Sequence, residues 1–350
     1  MAVAQPCAGT PSLRYRLPRA ARTMDGSSMR QSLAIEVTDL VKYYGQHRAV
    51  AGVSFDVADG EIFALLGRNG AGKSTTMKML STLMLPSGGR ARVAGYDTVK
   101  APREVRHRIG FVFQESTLDP GLTVLENLRF HATLYGTPRR QLDERIEYAL
   151  LLLGLEPHAK ALVARLSGGL ARRLEIVRAL LHKPKILFLD EPSLGLDPPT
   201  RTRLWQEIRH LRDRDGLTVL MTTHYMDEVE NVDRLAIVNA GELVAIDTPS
   251  RLKSAVGLDR IRLSTTNNAL ALHQLVAAGV PAWAEGEMIV CCVPDAERGI
   301  GRLLGHIDVP ATSVSVQRPS LDDVFVHFTE QAMAREAAES ATTHRRRVHS

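Results

Sequence analysis

Long hydrophobic runs are missing from this 350-residue chain. The richest, Tyr148–Leu155, is eight residues long, well short of the roughly eighteen needed to cross a bilayer as a helix. Cysteine is scarce: Cys7, Cys291 and Cys292 are too few and too badly placed for a disulfide framework or a zinc site, a usage that fits a reducing cytosol. No apolar stretch has the make-up of a secretory signal, and no fixed-period repeat runs through the chain. Acidic residues are absent before Asp25, while Arg14, Arg16, Arg19 and Arg22 precede it. That loosely resembles a transit peptide, but a solvated tail, or a true start at Met24 or Met29, accounts for it as well.

The basic excess is likewise missing from the body of the chain. Lysine and arginine number 44 against 39 acids, a net +5, of which 1–31 carry +4 and 331–350 carry +2. The body, 32–330, is close to neutral, so the folded part has no nucleic-acid signature. Hydrophobic residues make up 44% of the chain, enough for a sizeable core and against wholesale disorder. The expected organisation is a disordered basic extension over 1–31, a main domain over 32–250, a small α/β satellite over 251–330 and a flexible tail over 331–350.

In the main domain, strands are expected at Ala34–Val37, Val50–Val57, Glu61–Leu66, Ile109–Phe113, Ile186–Leu189, Thr218–Thr222 and Leu235–Val238. Helical spacing covers Ser74–Met84, Asp143–Leu153, Leu170–Leu181 and Pro199–Arg212. Alternation of this kind indicates a layered α/β domain with a largely parallel central sheet. In the satellite, Glu287–Val293 reads as an apolar strand that points Cys291 and Cys292 to opposite faces, as core packing.

Gly67-Arg68-Asn69-Gly70-Ala71-Gly72-Lys73-Ser74 matches G-x-x-x-x-G-K-[ST] between an expected strand and an expected helix. The glycines let backbone N–H groups turn inward around phosphate oxygens at the positive end of the helix. Lys73 would reach the β- and γ-phosphates and the Ser74 hydroxyl would ligate Mg²⁺. The apolar run Ile186–Leu189 delivers Asp190 and Glu191 at its C-terminal end, where open α/β sheets bind ligands. Beside a phosphate loop, Asp190 suits Mg²⁺ and Glu191 suits orienting and deprotonating a water.

Leu166-Ser167-Gly168-Gly169 adds the element that points to a family. In order the chain has the phosphate loop, Gln114, Leu166–Gly169, Asp190-Glu191, Leu194-Gly195-Leu196-Asp197 and His224. From about Leu33 to Lys253 it resembles the nucleotide-binding subunit of ATP-binding-cassette (ABC) transporters. The resemblance implies a P-loop NTPase cassette of α/β class, with a mostly parallel core sheet, antiparallel β elements and a helical subdomain inserted between Gln114 and the signature. The small C-terminal α/β domain would be an accessory with a structural role.

The resemblance also implies roles for single residues. Glu191 is expected as the base, with Lys73, Gln114 and His224 completing the catalytic set. Gly67, Asn69, Gly70, Gly72, Lys73, Ser74 and Thr75 would hold the nucleotide, and Tyr44 (beside Tyr43) would stack on adenine. Mg²⁺ would be held by Ser74, Gln114 and Asp190. Ser167, Gly168 and Gly169 would serve the ATP of an opposite subunit, which implies a head-to-tail homodimer, and Asp197 would also bind nucleotide. Ser167 can also cap the helix that follows it. His131 and His158 are read as ordinary surface histidines. Leu170 stands where many members have glutamine and Gly195 where alanine is frequent, but neither change removes a phosphate ligand, a metal ligand or the base.

Thr223–Glu230 and Pro319–Phe325 are similar to the daunorubicin/doxorubicin-resistance exporter ATPases. The expectation is therefore an ATPase, using ATP and Mg²⁺, at the cytoplasmic face of the membrane. It would drive efflux of a drug-like or other hydrophobic compound through a separate polytopic permease, with no nucleic acid involved. The alternatives are export of a polysaccharide, lipid or ion, or a non-transport cassette acting on ribosomes or DNA.

Overall fold

Apolar and β-branched runs broken by glycine turns set the first half of the fold. In the computed structural model these are β1 (Leu33–Tyr44), β2 (His47–Ala58) and β3 (Ile62–Leu66). Residues 32–331 are described, apart from 137, 153, 258, 294 and 295. The extension 1–31, with Cys7, and the tail from 332 lie outside the described residues. The described chain forms two compact units that divide at Asp247.

In the first unit α1 (Lys73–Leu80), β4 (Gly88–Val93), β5 (Tyr96–Asp97), α2 (Pro102–Arg108) and β6 (Ile109–Val112) follow. The helix expected to reach Met84 stops at Leu80, because the N–H groups of Leu83 and Met84 both turn back to the Lys78 carbonyl and Thr82 takes φ 65°. Next come α3 (Val124–Leu134), α4 (Arg139–Leu152), α5 (Gly168–Leu180), β7 (Ile186–Asp190), α6 (Pro198–Asp215), β8 (Thr218–Thr223), α7 (Met226–Val229), β9 (Arg234–Asn239) and β10 (Glu242–Asp247).

These strands make two sheets. One is antiparallel, in the order β2-β1-β4-β5. The other runs β10-β9-β3-β8-β7-β6, with β9, β3, β8, β7 and β6 all parallel. Every residue of β3, β7 and β8 is buried, as befits a parallel sheet covered on both faces. The core lies between the sheets, where the rings of Phe55 and Phe63 stack at 5.4 Å. Between β6 and β7 sits the helical insert. α3 starts at a complete capping box, Thr123 with Glu126, and Ser167 caps α5 through its hydroxyl.

Parallel pairing brings three strand ends to one edge: Leu66 lies opposite Thr223, and Asp190 opposite Thr222. That edge is where an open α/β sheet binds its ligands.

The second unit holds α8 (Pro249–Val256), β11 (Asp259–Thr265), α9 (Asn268–Ala277), β12 (Ala282–Glu285), β13 (Met288–Val293), α10 (Ala296–Leu304), β14 (Ala311–Gln317) and a helix over 321–331. Its sheet, β12-β13-β11-β14, is antiparallel throughout. Ile261, Leu263, Leu275, Ile289, Cys291 and Leu303 form its core. Both β13 cysteines are buried, and desolvation pushes the Cys291 thiol up to about 11, so it packs as a small apolar side chain.

Candidate active site

The turn after β3 wraps back on itself: the Gly67 N–H reaches the Thr223 carbonyl at 3.3 Å and the Ala71 N–H reaches the Arg68 carbonyl at 3.1 Å. Gly72, which precedes α1, has φ 101°, and a Cβ there would stand 2.5 Å from the Ala49 carbonyl oxygen. At Gly67 a Cβ would meet the Val238 carbonyl at 2.4 Å, so both positions require glycine. No side chain caps α1. Its first N–H groups therefore present the positive end of the helix to whatever occupies the loop.

Lys73, 4% exposed, folds over that loop. Its Nζ donates to the Gly67 carbonyl at 2.8 Å and the Arg68 carbonyl at 3.1 Å, and lies 3.7 Å from Glu191 Oε1. Burial lowers the pKa of its ammonium, and Glu191 and Asp190 pull the other way. Ser74 Oγ donates to Asp190 Oδ1 at 2.9 Å. His224 Nδ1 stands 3.3 Å from Glu191 Oε2 but is not aimed for a hydrogen bond. Lys73, Ser74, Asp190, Glu191 and His224 thus converge from the start of α1, the end of β7 and the segment after β8.

The remaining expected residues stand apart from that cluster. Tyr44 and Tyr43 are 46% and 47% exposed, with the Tyr44 hydroxyl on Met84 Sδ at 3.0 Å. Gln114 lies in an exposed bend beyond β6, whose last residue is Val112, two short of it. Asp197 caps α6, its carboxylate accepting from the Thr200 N–H at 3.4 Å, and hydrogen bonding to the Thr200 side chain, then to that N–H, lowers its pKa. Ser167 and Gly168 are exposed at the start of α5, and the Ser167 hydroxyl accepts from the Leu170 N–H at 3.3 Å. Among the described residues no hydrogen bond, ion pair or ring contact joins these positions to the cluster. His131, expected on the surface, is half-buried, with its ring 4.9 Å from that of Tyr135.

Motif spacing missed three supports. Thr222, fully buried, donates to Asp190 Oδ1 at 2.5 Å and accepts from the Glu191 N–H at 3.0 Å. A hydroxyl near the end of a buried strand, one of three threonines in β8, is its only signal. Ser193 donates to the buried carboxyl of Glu228, whose pKa is raised by desolvation, tying the segment after Glu191 to α7. Arg201 places its guanidinium 4.4 Å from the centre of the Tyr225 ring, and that ring lies 4.1 Å from His224.

Comparison with known proteins places this geometry in context. A family model described as "ABC transporter" matches residues 50–194. The daunorubicin/doxorubicin resistance ATP-binding protein DrrA of Streptomyces peucetius is 38% identical over 319 residues, covering 87% of this chain and 96% of the relative. The Nod factor export ATP-binding protein I of Paraburkholderia xenovorans is 38% identical over 303 residues, covering 86% and 98%. A dimeric post-hydrolysis structure of the ATP-binding cassette MJ0796, bound to ADP and Pi, superposes with a TM-score of 0.56. It is 28% identical and covers 61% of this chain and 98% of its own.

Proposed function

The chain belongs to the ABC transporter family as an ATP-hydrolysing subunit of the exporter type, and from that premise we propose how its residues divide the work. The observation that carries the proposal is the convergence of Lys73, Ser74, Asp190, Glu191 and His224 on one sheet edge. ATP seats its phosphates on the loop 67–72 and the uncapped first N–H groups of α1, and the Lys73 ammonium exchanges its two carbonyl partners for phosphate oxygens. Glu191 accepts the proton of the attacking water, and His224 contributes a ring N–H to the γ-phosphate. Tyr44, exposed on β1, offers a ring to the adenine.

Ser74 Oγ and Asp190 Oδ1 form an all-oxygen pair, the donor type a hard divalent cation takes, so the residues present fit Mg²⁺. Gln114 would add a third oxygen from its bend. Bound there, the ion supplies charge that offsets that of the β- and γ-phosphates.

Members of this family dimerise and work with membrane subunits. In this chain Ser167, Gly168 and Gly169 serve the γ-phosphate held by a second copy and Asp197 joins the nucleotide site, a reading supported by the exposure of Ser167, Gly168 and Asp197. Among the described residues no helix is long and apolar enough to cross a membrane; in this reading the chain sits at the cytoplasmic face against a separate polytopic permease. The names of relatives at equal identity, one for daunorubicin/doxorubicin resistance and one for Nod factor export, support export, which we read as efflux of a drug-like or other hydrophobic compound. They leave its choice to the permease. They also speak against action on ribosomes or DNA. Residues 32–250 form the ATP-binding domain in this reading and 251–330 the accessory one.

The test is Glu191→Gln. It should bind MgATP and form a nucleotide-dependent dimer while hydrolysing about 100-fold slower or worse, and with MgATP it should capture a polytopic protein from detergent-solubilised membranes. Hydrolysis at wild-type speed removes Glu191 from its role.

A further inference from the structure

Arg172 is a charged residue in the second turn of an otherwise amphipathic α5, yet it is only 8% exposed. Its Nε donates to the Pro192 carbonyl at 2.7 Å. Nη1 donates to the Phe113 carbonyl at 2.5 Å and to Glu175 Oε2 at 2.6 Å. Nη2 donates to the carbonyls of Asp190 at 3.1 Å and Glu191 at 3.2 Å. A guanidinium has five N–H groups, and here every one is engaged. Four of the five acceptors are backbone carbonyls, three of them consecutive at the end of β7 and beyond it, and the fourth immediately before Gln114.

Stability alone does not account for this. Desolvating an arginine and a glutamate costs about as much as their attraction returns, and apolar residues of similar volume often do as well. What the clamp touches is more telling. Glu191 has φ 46°, a left-handed backbone that a residue with a Cβ adopts at a cost of about 1–2 kcal/mol. Such conformations persist where the surroundings over-determine them. On one side the Glu191 N–H is held by the Thr222 carbonyl and hydroxyl. On the other its carbonyl is held by Arg172.

We propose that Arg172 is the positioning residue for Glu191, its guanidinium fork holding the carbonyls of 190–192 so that the strained backbone keeps the Glu191 carboxylate between Lys73 and His224. Arg172 touches no reacting atom. Because the fork rises from α5, whose first residues follow Ser167, the helix carrying the signature and the loop carrying the base move as one piece. The same helix grips the Gln114 segment: Glu175 accepts from the Thr117 N–H at 3.2 Å, and Arg178 donates to the Thr117 carbonyl at 2.8 Å. Arg172, Glu175 and Arg178 are spaced i, i+3, i+6, along one face of α5. The assignment of Arg172 rests on the reading of Glu191 as the base.

Arg172→Met and Arg172→Lys, alone and combined with Glu191→Gln, test it. ATP binding is measured by equilibrium titration and hydrolysis by steady-state and single-turnover kinetics. Displacement of a catalytic group by about 1 Å costs on the order of 100-fold in rate. Both single variants should therefore lose about that much in kcat, with KM and ATP affinity within about threefold of wild type. Lysine should not rescue, because one ammonium nitrogen cannot span four carbonyls. In the Glu191→Gln background, Arg172→Met should cost less than about threefold more, since the group it positions is already gone. Wild-type kcat in Arg172→Lys overturns the proposal, because charge alone then suffices. A full 100-fold further loss in the double variant overturns it too, by placing the effect elsewhere. If the methionine variant does not fold, the lysine variant and its double carry both comparisons. Failure of the base assignment is read separately, from Glu191→Gln alone.

Discussion

Lowering the pH from 7 to 5 should loosen the helical insert through His131. Its ring lies 4.9 Å from Tyr135, which caps the end of the same helix, and Tyr135 stacks at 4.1 Å on His182, just beyond α5. His182 Nε2 in turn meets the Ile109 carbonyl, at the start of β6, at 2.8 Å. Burial first, then the charges of Arg178 and His182, lower the His131 pKa from 6.5 to about 4. A folded value below the unfolded one means the unfolded chain takes up a proton that the folded chain refuses. The stability concerned is fully present above pH 6.5 and is lost as pH falls toward 4. Between pH 7 and 5 those two values correspond to about 2 kcal/mol, which solvent around the half-buried ring reduces to about 1 kcal/mol. Urea unfolding at both pH values, followed by the fluorescence of Trp205 buried in α6, compares wild type with His131→Gln, which does not titrate. Wild type should lose about 1 kcal/mol more than the variant across that interval. Equal losses, or a gain by wild type, would refute the reasoning.

Other consequences are as direct. Lys73→Ala removes a buried cation from the phosphate loop and should weaken ATP binding by about 10- to 100-fold, the worth of a charge-assisted hydrogen bond; calorimetric titration at unchanged affinity would contradict it. Thr222→Val keeps the shape of the strand but deletes the hydroxyl shared by Asp190 and the Glu191 N–H. A loss of about 2 kcal/mol in urea unfolding is expected, largely restored by Thr222→Ser. In a Cys7→Ser background, Cys291 and Cys292 should resist a thiol reagent until the second unit unfolds, and rapid labelling of the native chain would show that β13 is not packed as described.

The chemistry-bearing motifs were legible because they act over a few residues. A phosphate loop needs glycines where the backbone turns left-handed or meets a carbonyl, and those glycines stand together at 67–72. An acid pair at the end of the apolar run Ile186–Leu189 declares a buried strand and an open sheet edge at once. Strands with a continuous apolar signature, β3, β7 and β8, were read to within a residue or two. β1, whose register against β2 shifts four times, reads in the sequence as four residues where it has twelve, and β4, carrying Gly88 and two exposed arginines, gives no pattern at all. α1 outran its true end in the reading because Met84 keeps helical spacing while a turn at Thr82 breaks the backbone.

Order along the chain was enough to single out Lys73, Ser74, Asp190, Glu191 and His224, which the fold brings to one sheet edge. Only the tertiary structure disclosed what holds those residues in place. Arg172 meets Phe113 from 59 positions away and Pro192 from 20, and in each case the acceptor is a main-chain carbonyl. Every residue supplies such a carbonyl, so no side-chain pattern marks the partner. The charge on one face of α5 was visible in the sequence, but that this face is buried against β7 and the Gln114 bend depends on how the insert packs. The same holds for Thr222, an unremarked hydroxyl until parallel pairing sets its strand beside Asp190. Side-chain motifs are written locally, whereas the backbone groups that position them become partners only when the fold brings them within hydrogen-bonding distance.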